Sequence, residues 1–177
     1  MADTPSSLWG YRILFVLCAS VLAFVQLLPL NPGPGLLPGP DVLLLLALFW
    51  TVVRPALVPV WLLALVFLLS DLLLMRPPGL WTALAILGCE FLRSRRAVLR
   101  NAPFPVEWAM VAVVIAAMTV VNVLVLSIFA VPQPSFGLTV IRMVFTILAY
   151  PLAVILAGRA IGLSKPSGER EALGARR

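Results

Sequence analysis

The stretch LRSRRAVLR, residues 92–100, carries Arg93, Arg95, Arg96 and Arg100 and stands between two apolar runs. It is the densest basic cluster in the chain. Lys and Arg in short loops set the orientation of neighbouring membrane helices, so a cluster of this kind marks a cytoplasmic loop. Working outward from it, apolar segments run over 11–30, 41–53, 58–74, 80–91, 106–130 and 138–163. Of the 13 basic residues, 11 fall at the ends or in alternate gaps: the four arginines above with Arg12, Arg54, Arg159, Lys165, Arg170, Arg176 and Arg177. Only Arg76 and Arg142 fall on the other side. The pattern predicts an all-α integral membrane protein: a compact bundle of about six transmembrane helices with both termini cytoplasmic.

Composition agrees with that reading. The chain is 62% hydrophobic and 11% charged over 177 residues, with a mean hydropathy of +1.10. A soluble domain is roughly one quarter charged. The pI of about 10.7 does not point to nucleic acid, because the basic residues flank apolar spans instead of gathering on a polar surface. They read as topology signals and contacts to anionic lipid headgroups. Residues 1–163 are expected to form one polytopic membrane domain and 164–177 a disordered basic cytoplasmic tail, rich in Gly, Glu and Arg. The apolar run from Ile13 is longer than a signal-peptide core and is followed by no small-x-small cleavage site, so it reads as an uncleaved helix. Cys18 and Cys89 lie within apolar segments and read as packing residues.

A bilayer core takes about 20 helical residues. The first, fifth and sixth segments reach that length; the second and fourth are short and could be re-entrant. The 16 prolines act as punctuation. Those at 29–40, 77–78, 103–105 and 132–134 suit loops and first helical turns. Pro151 falls inside the sixth segment, where a neighbour must satisfy the carbonyl it frees. Trp9, Tyr11, Trp50, Trp61, Trp81 and Trp108 fall near segment ends and read as interface markers.

Histidine is absent from the sequence. There is no Gly-rich phosphate loop, no Cys-x-x-Cys, no His/Glu metal motif and no nucleophile elbow. The expectation is a protein without catalytic residues, metal or cofactor. Four carboxylates come near the membrane. Asp41 opens the second helix after Pro40, either as a helix-start charge worth about 0.3–1 kcal/mol or as a partner contact. Asp71, near the end of the third, reads as a functional intramembrane group or as an interfacial partner of Arg76. Glu90 precedes Arg93 by three residues, the spacing of a helical ion pair. Glu107 opens the fifth helix at the favourable end of its dipole. The Arg93–Arg100 cluster reads as lipid contact or as a docking site for a cytoplasmic protein. Small residues recur at helical spacing: Ala112, Ala116 and Thr119 in the fifth segment, and Ala149, Ala153 and Ala157 in the sixth, where Gly158 and Gly162 add a Gly-x-x-x-Gly match. Such ladders let membrane helices approach closely. Asn122, mid-helix, should hydrogen-bond another helix.

The order Pro40-Asp41-Val42-Leu43-Leu44, Phe49-Trp50, Pro55, Asp71 and Pro78-Gly79-Leu80 resembles the bacterial rod shape-determining MreD family. Phe67 departs from it where family members carry a glycine. The resemblance covers most of the chain through short motifs. It implies a multi-pass protein of the bacterial cytoplasmic (inner) membrane, a non-catalytic scaffold of the cell-elongation machinery. The implied partners are MreC, the filament protein MreB and the glycosyltransferase–transpeptidase pair that extends peptidoglycan. Asp41, Asp71, Arg93, Arg95, Arg96 and Arg100 are the candidate partner contacts. A second class of similar size comprises the substrate-binding subunits of energy-coupling-factor vitamin transporters. For that class, Asn122 and Thr119 would have to line an outer pocket.

Overall fold

A computed structural model describes residues 5–27 and 38–161. The chain there is helical and contains no strand: α1 (Pro5–Leu27), α2 (Val42–Val53), a single 3₁₀ turn (Pro55–Leu57), α3 (Val60–Leu73), α4 (Leu80–Ser94), α5 (Arg96–Asn101), α6 (Phe104–Ile128) and α7 (Phe136–Ile161). Gly162, the 164–177 tail and the Pro-rich stretch 31–37 lie outside the described residues.

Local chemistry sets the breaks. Pro55 forces the preceding Arg54 out of helical conformation, to φ −144° and ψ 79°, and ends α2. Pro59 precedes α3 in extended conformation. Gly79 starts α4 from φ +92°, a left-handed geometry that glycine enters without penalty. The run expected as a single basic loop is instead mostly helical. α4 continues through Arg93 to Ser94, Arg95 breaks it, and α5 begins at Arg96.

Three helices contain stretches long and apolar enough to cross a membrane: Trp9–Leu27, Phe104–Ile128 and Phe136–Leu156. α2 and α3 are apolar but shorter. At 12 residues, α2 spans about 18 Å. Its environment explains how so short a helix is kept. α2 packs against α1, α4 and α7 and buries Leu43, Leu44, Leu45, Ala47, Leu48, Phe49, Trp50 and Thr51. It is the axis of the bundle, enclosed by protein.

Trp50 corrects an expectation. Read as an interface marker, it is fully buried, its ring 5.3 Å from that of Phe15 at a tilt of 58°, an aromatic contact within the core. Trp9 and Trp61 do stand exposed.

Many large apolar side chains stand on the outer surface. Trp9, Ile13, Leu17, Val21 and Phe24 form an exposed stripe along α1, Leu65, Leu68 and Leu72 another on α3, and Leu148, Leu152 and Ile155 a third on α7. In water each large side chain left uncovered forgoes about 1.5–3 kcal/mol of burial. A belt of them on several helices fits a surface solvated by acyl chains.

One close helix approach was not anticipated from the small-residue ladders of α6 and α7. It lies between α4 and α6. A Cβ on Gly88 would fall 2.8 Å from Met118 Sδ and 3.0 Å from Val114 Cγ1. Met118 ends in a flexible thioether; Val114 is branched and cannot yield as readily. Gly88→Ala is expected to destabilise mildly, because the helix-propensity gain of roughly 1 kcal/mol does not fully offset the crowding against Val114 and Met118. Gly88→Val should destabilise by about 1–3 kcal/mol through overpacking, and Met118→Ala in the same chain should recover part of the loss. Thermal unfolding in detergent reads both.

Candidate functional site

One end of the bundle gathers the start of α2, the α3–α4 turn and the α6–α7 turn. It is called here the Asp41 end. The opposite end, which holds the α2–α3 connection and α5, is the Arg93 end.

At the Asp41 end, Asp71 projects from the last turns of α3 to the start of α4. It is completely buried. Its Oδ2 accepts hydrogen bonds from the Gly79 N–H at 3.1 Å, the Thr82 N–H at 3.1 Å and the Thr82 hydroxyl at 2.8 Å. The first N–H groups of a helix have no partner within it, and a carboxylate there also meets the positive end of the dipole. Asp71 is therefore an N-cap for α4 supplied from another helix. Its carboxylate forms no salt bridge with Arg76 among the described residues; it acts on that guanidinium through its field, while the Arg76 backbone N–H donates to the Asp71 carbonyl. Asp71 Oδ1 is buried without a hydrogen-bond partner among the described residues.

Asp41 caps its own helix, Oδ1 accepting from the Leu44 N–H at 3.1 Å. Its Oδ2 takes a 3.1 Å bond from Arg142 of α7 and lies 3.7 Å from Arg76 Nη1. The Asp41 N–H donates to the Thr146 hydroxyl at 3.0 Å, and that hydroxyl donates back to the Arg142 carbonyl. The Arg76 guanidinium also stacks 5.8 Å from the centre of the Trp81 ring, a cation–π contact. Burial pushes Arg76 below its ordinary value, while Asp41 pulls it back up. The two basic residues placed on the minority side by sequence thus converge on one carboxylate.

Beside this cluster lies a cavity of about 360 Å³. Its wall includes Asp41, Arg76, Arg142, Trp81, Thr119, Asn122 and Gln133, set in a mainly apolar lining from α4, α6 and α7. Asn122 was expected to bond another helix. Among the described residues no hydrogen bond holds its amide, and it faces the cavity instead. Thr119 spends its hydroxyl proton on the Ile115 carbonyl of its own helix. Among the described residues, no three of His, Cys, Asp and Glu come together as a metal site.

At the Arg93 end the basic cluster divides. Arg93 pairs with Glu90, as its i,i+3 spacing predicts. It also donates through Nη2 to the Val58 and Pro55 carbonyls, so it holds the α2–α3 connection to α4. Arg95 and Arg96 are exposed. Arg95 lies over the Phe91 ring at 5.6 Å.

Pro151 frees the Ile147 carbonyl, since a proline has no N–H to return to it. The Trp108 indole N–H fills that place at 2.9 Å. Next to it, the Tyr150 hydroxyl donates to Glu107 Oε1 at 2.8 Å. Glu107, expected only to favour a helix dipole, is thereby buried between α6 and α7. Ala149 and Ala153 pack against the core on the same helix; Ala112 and Ala116 are half-buried on α6.

No family model matches the chain, and no curated protein or solved structure matches it either.

Two substitutions test this account. Asp71→Leu leaves the Gly79 and Thr82 donors unpaired, at about 1–3 kcal/mol for each buried group, and should unfold the α3–α4 turn; Asp71→Asn, still an acceptor, should retain much of the stability. Trp108→Phe should destabilise by about 1–3 kcal/mol through the orphaned Ile147 carbonyl. In a Pro151→Ala background, where residue 151 regains an N–H, the same change should cost markedly less. A double-mutant cycle of unfolding free energies measures that coupling.

Proposed function

We propose that this chain is a non-catalytic, multi-pass membrane scaffold of the MreD type. In this reading it sits in a bacterial cytoplasmic membrane, holds MreC through its helices, and links it to MreB and to the peptidoglycan-extending glycosyltransferase–transpeptidase pair. α1, α2, α3, α4, α6 and α7 each cross, with both termini cytoplasmic. The Asp41 end then faces outward and the Arg93 end faces the cytoplasm, in keeping with the 11-to-2 charge distribution.

One observation supports this reading above the others. The short motifs that carry the resemblance are far apart in sequence, yet they work as one device. Asp41 starts α2, Asp71 starts α4 across the Pro78-Gly79-Leu80 turn, and Arg76 from that turn returns to Asp41. Arg93 is engaged with Glu90 and the α2–α3 carbonyls, so among the described side chains the cytoplasmic docking surface is Arg95 and Arg96, together with contacts to anionic headgroups; the Arg100 side chain lies outside the described residues.

The cavity at the Asp41 end favours a second reading, the substrate-binding subunit of an energy-coupling-factor vitamin transporter. The two differ in what they hold. Affinity purification of the tagged chain from native membranes in mild detergent should recover MreC; recovery of a paired ATPase or a bound vitamin would replace the scaffold with transport. Arg95→Glu with Arg96→Glu should disturb cell shape without lowering the amount of folded protein, and normal morphology would remove the docking role. For topology, a cysteine at Met75 should label from the outside of intact cells and one at Ala97 only after permeabilisation.

A further inference from the structure

The ion cluster at the Asp41 end is unbalanced toward the cavity. Two guanidiniums, Arg76 and Arg142, share the single carboxylate Asp41. Their side chains keep 24% and 38% exposure, against 5% for Asp41. Asp71 acts on Arg76 through its field from behind the cluster, but it is fully buried, its Oδ2 is taken by three donors of the α4 start, and it does not line the cavity. The chain between α1 and Asp41, residues 28–40, contains no Asp or Glu, and neither does 129–135 between α6 and α7. The side facing this partly desolvated space is therefore cationic, with both guanidiniums more exposed than either carboxylate.

That space has the character of a ligand site. Its volume of about 360 Å³ falls within the range of roughly 300–1,000 Å³ of small-molecule clefts, which are mostly apolar with a few placed polar groups. Here the polar groups stand at one side, on the Asp41 cluster, and α6 supplies an apolar wall broken by Thr119 and Asn122. We propose that this cavity binds an organic anion with an apolar body, its acidic head on Arg142 and Arg76 and its body along α6. Guanidinium forks suit carboxylate and phosphate heads alike, so a phospholipid headgroup and a water-borne amphipathic acid are the two sources of the same chemistry. The inference rests on the cavity alone: capture of MreC can fail with anion binding intact, and the reverse.

The full chain, in nanodiscs of phosphatidylcholine, is titrated with dansyl-labelled undecanoate and separately with its uncharged methyl ester. The acid is expected to saturate and to bind at least about tenfold more tightly than the ester, the scale of one hydrogen bond to a charged group. Arg142→Gln should erase that preference while ester binding stays as it was, and Arg142→Lys should keep most of it. Asn122→Phe fills the cavity from the α6 side without touching the ion cluster and should abolish binding of both probes. Displacement of the acid as phosphatidylglycerol is added to the discs would assign the site to a lipid headgroup; no displacement would assign it to a water-borne acid. Equal binding of acid and ester, absence of saturation, or undiminished acid binding in folded Arg142→Gln and Asn122→Phe would overturn the proposal.

Discussion

The buried carboxylate of Asp71 is the contact on which the arrangement at one end of the bundle depends. α4 begins in a place where its first N–H groups meet protein rather than water, and donors there must be satisfied from within. Asp71 reaches across from α3 to do so. It thereby fixes how α3 meets α4 and where the intervening turn lies. Because the turn is fixed, Arg76 is delivered to Asp41 at the head of α2. Arg142 of α7 arrives at the same oxygen from the other side. One capping interaction thus propagates into the register of four helices.

The same constraint recurs at two proline breaks in the helical ladder. Pro151 removes an N–H from α7, and the indole of Trp108 replaces it. Pro55 ends α2 and leaves carbonyls at the α2–α3 connection, and Arg93 covers those of Pro55 and Val58. In an apolar surround such groups have no water to fall back on, so each of these two interruptions is answered by a side chain from a different helix. These answers hold the bundle in one arrangement where apolar packing alone would allow helices to slide.

Much of this was legible in the residues. Helix positions, the punctuation by proline and the Glu90–Arg93 pair follow from periodicity and spacing, which are local. Pro151 even announced that a donor must come from elsewhere. What the residues did not disclose is which donor, because Trp108 is 39 positions from Ile147. Arg142 was set apart by its side of the membrane pattern but not given a partner, and Thr146 carried no signal; their meeting with Asp41 spans about 100 positions. Gly88 sits in α4 with no local signal that α6 presses on it. Trp50 looked like an interfacial aromatic because it stands near a segment end, yet the segment is enclosed by its neighbours, so nearness to the end does not expose it.

Composition and the placement of charge, taken alone, determined that the chain is helical and apolar enough for a bilayer, because those properties depend on each segment by itself. They also put Arg76 and Arg142 apart from the other basic residues. Only the tertiary structure decided that these two arginines share Asp41, that a cavity opens beside them, and that Arg93 is spent on internal carbonyls while Arg95 and Arg96 remain exposed. Those outcomes depend on which helix lies against which. Apolar faces of similar residues can pack in many ways, and the choice among them is made by a few buried polar partners distant in sequence.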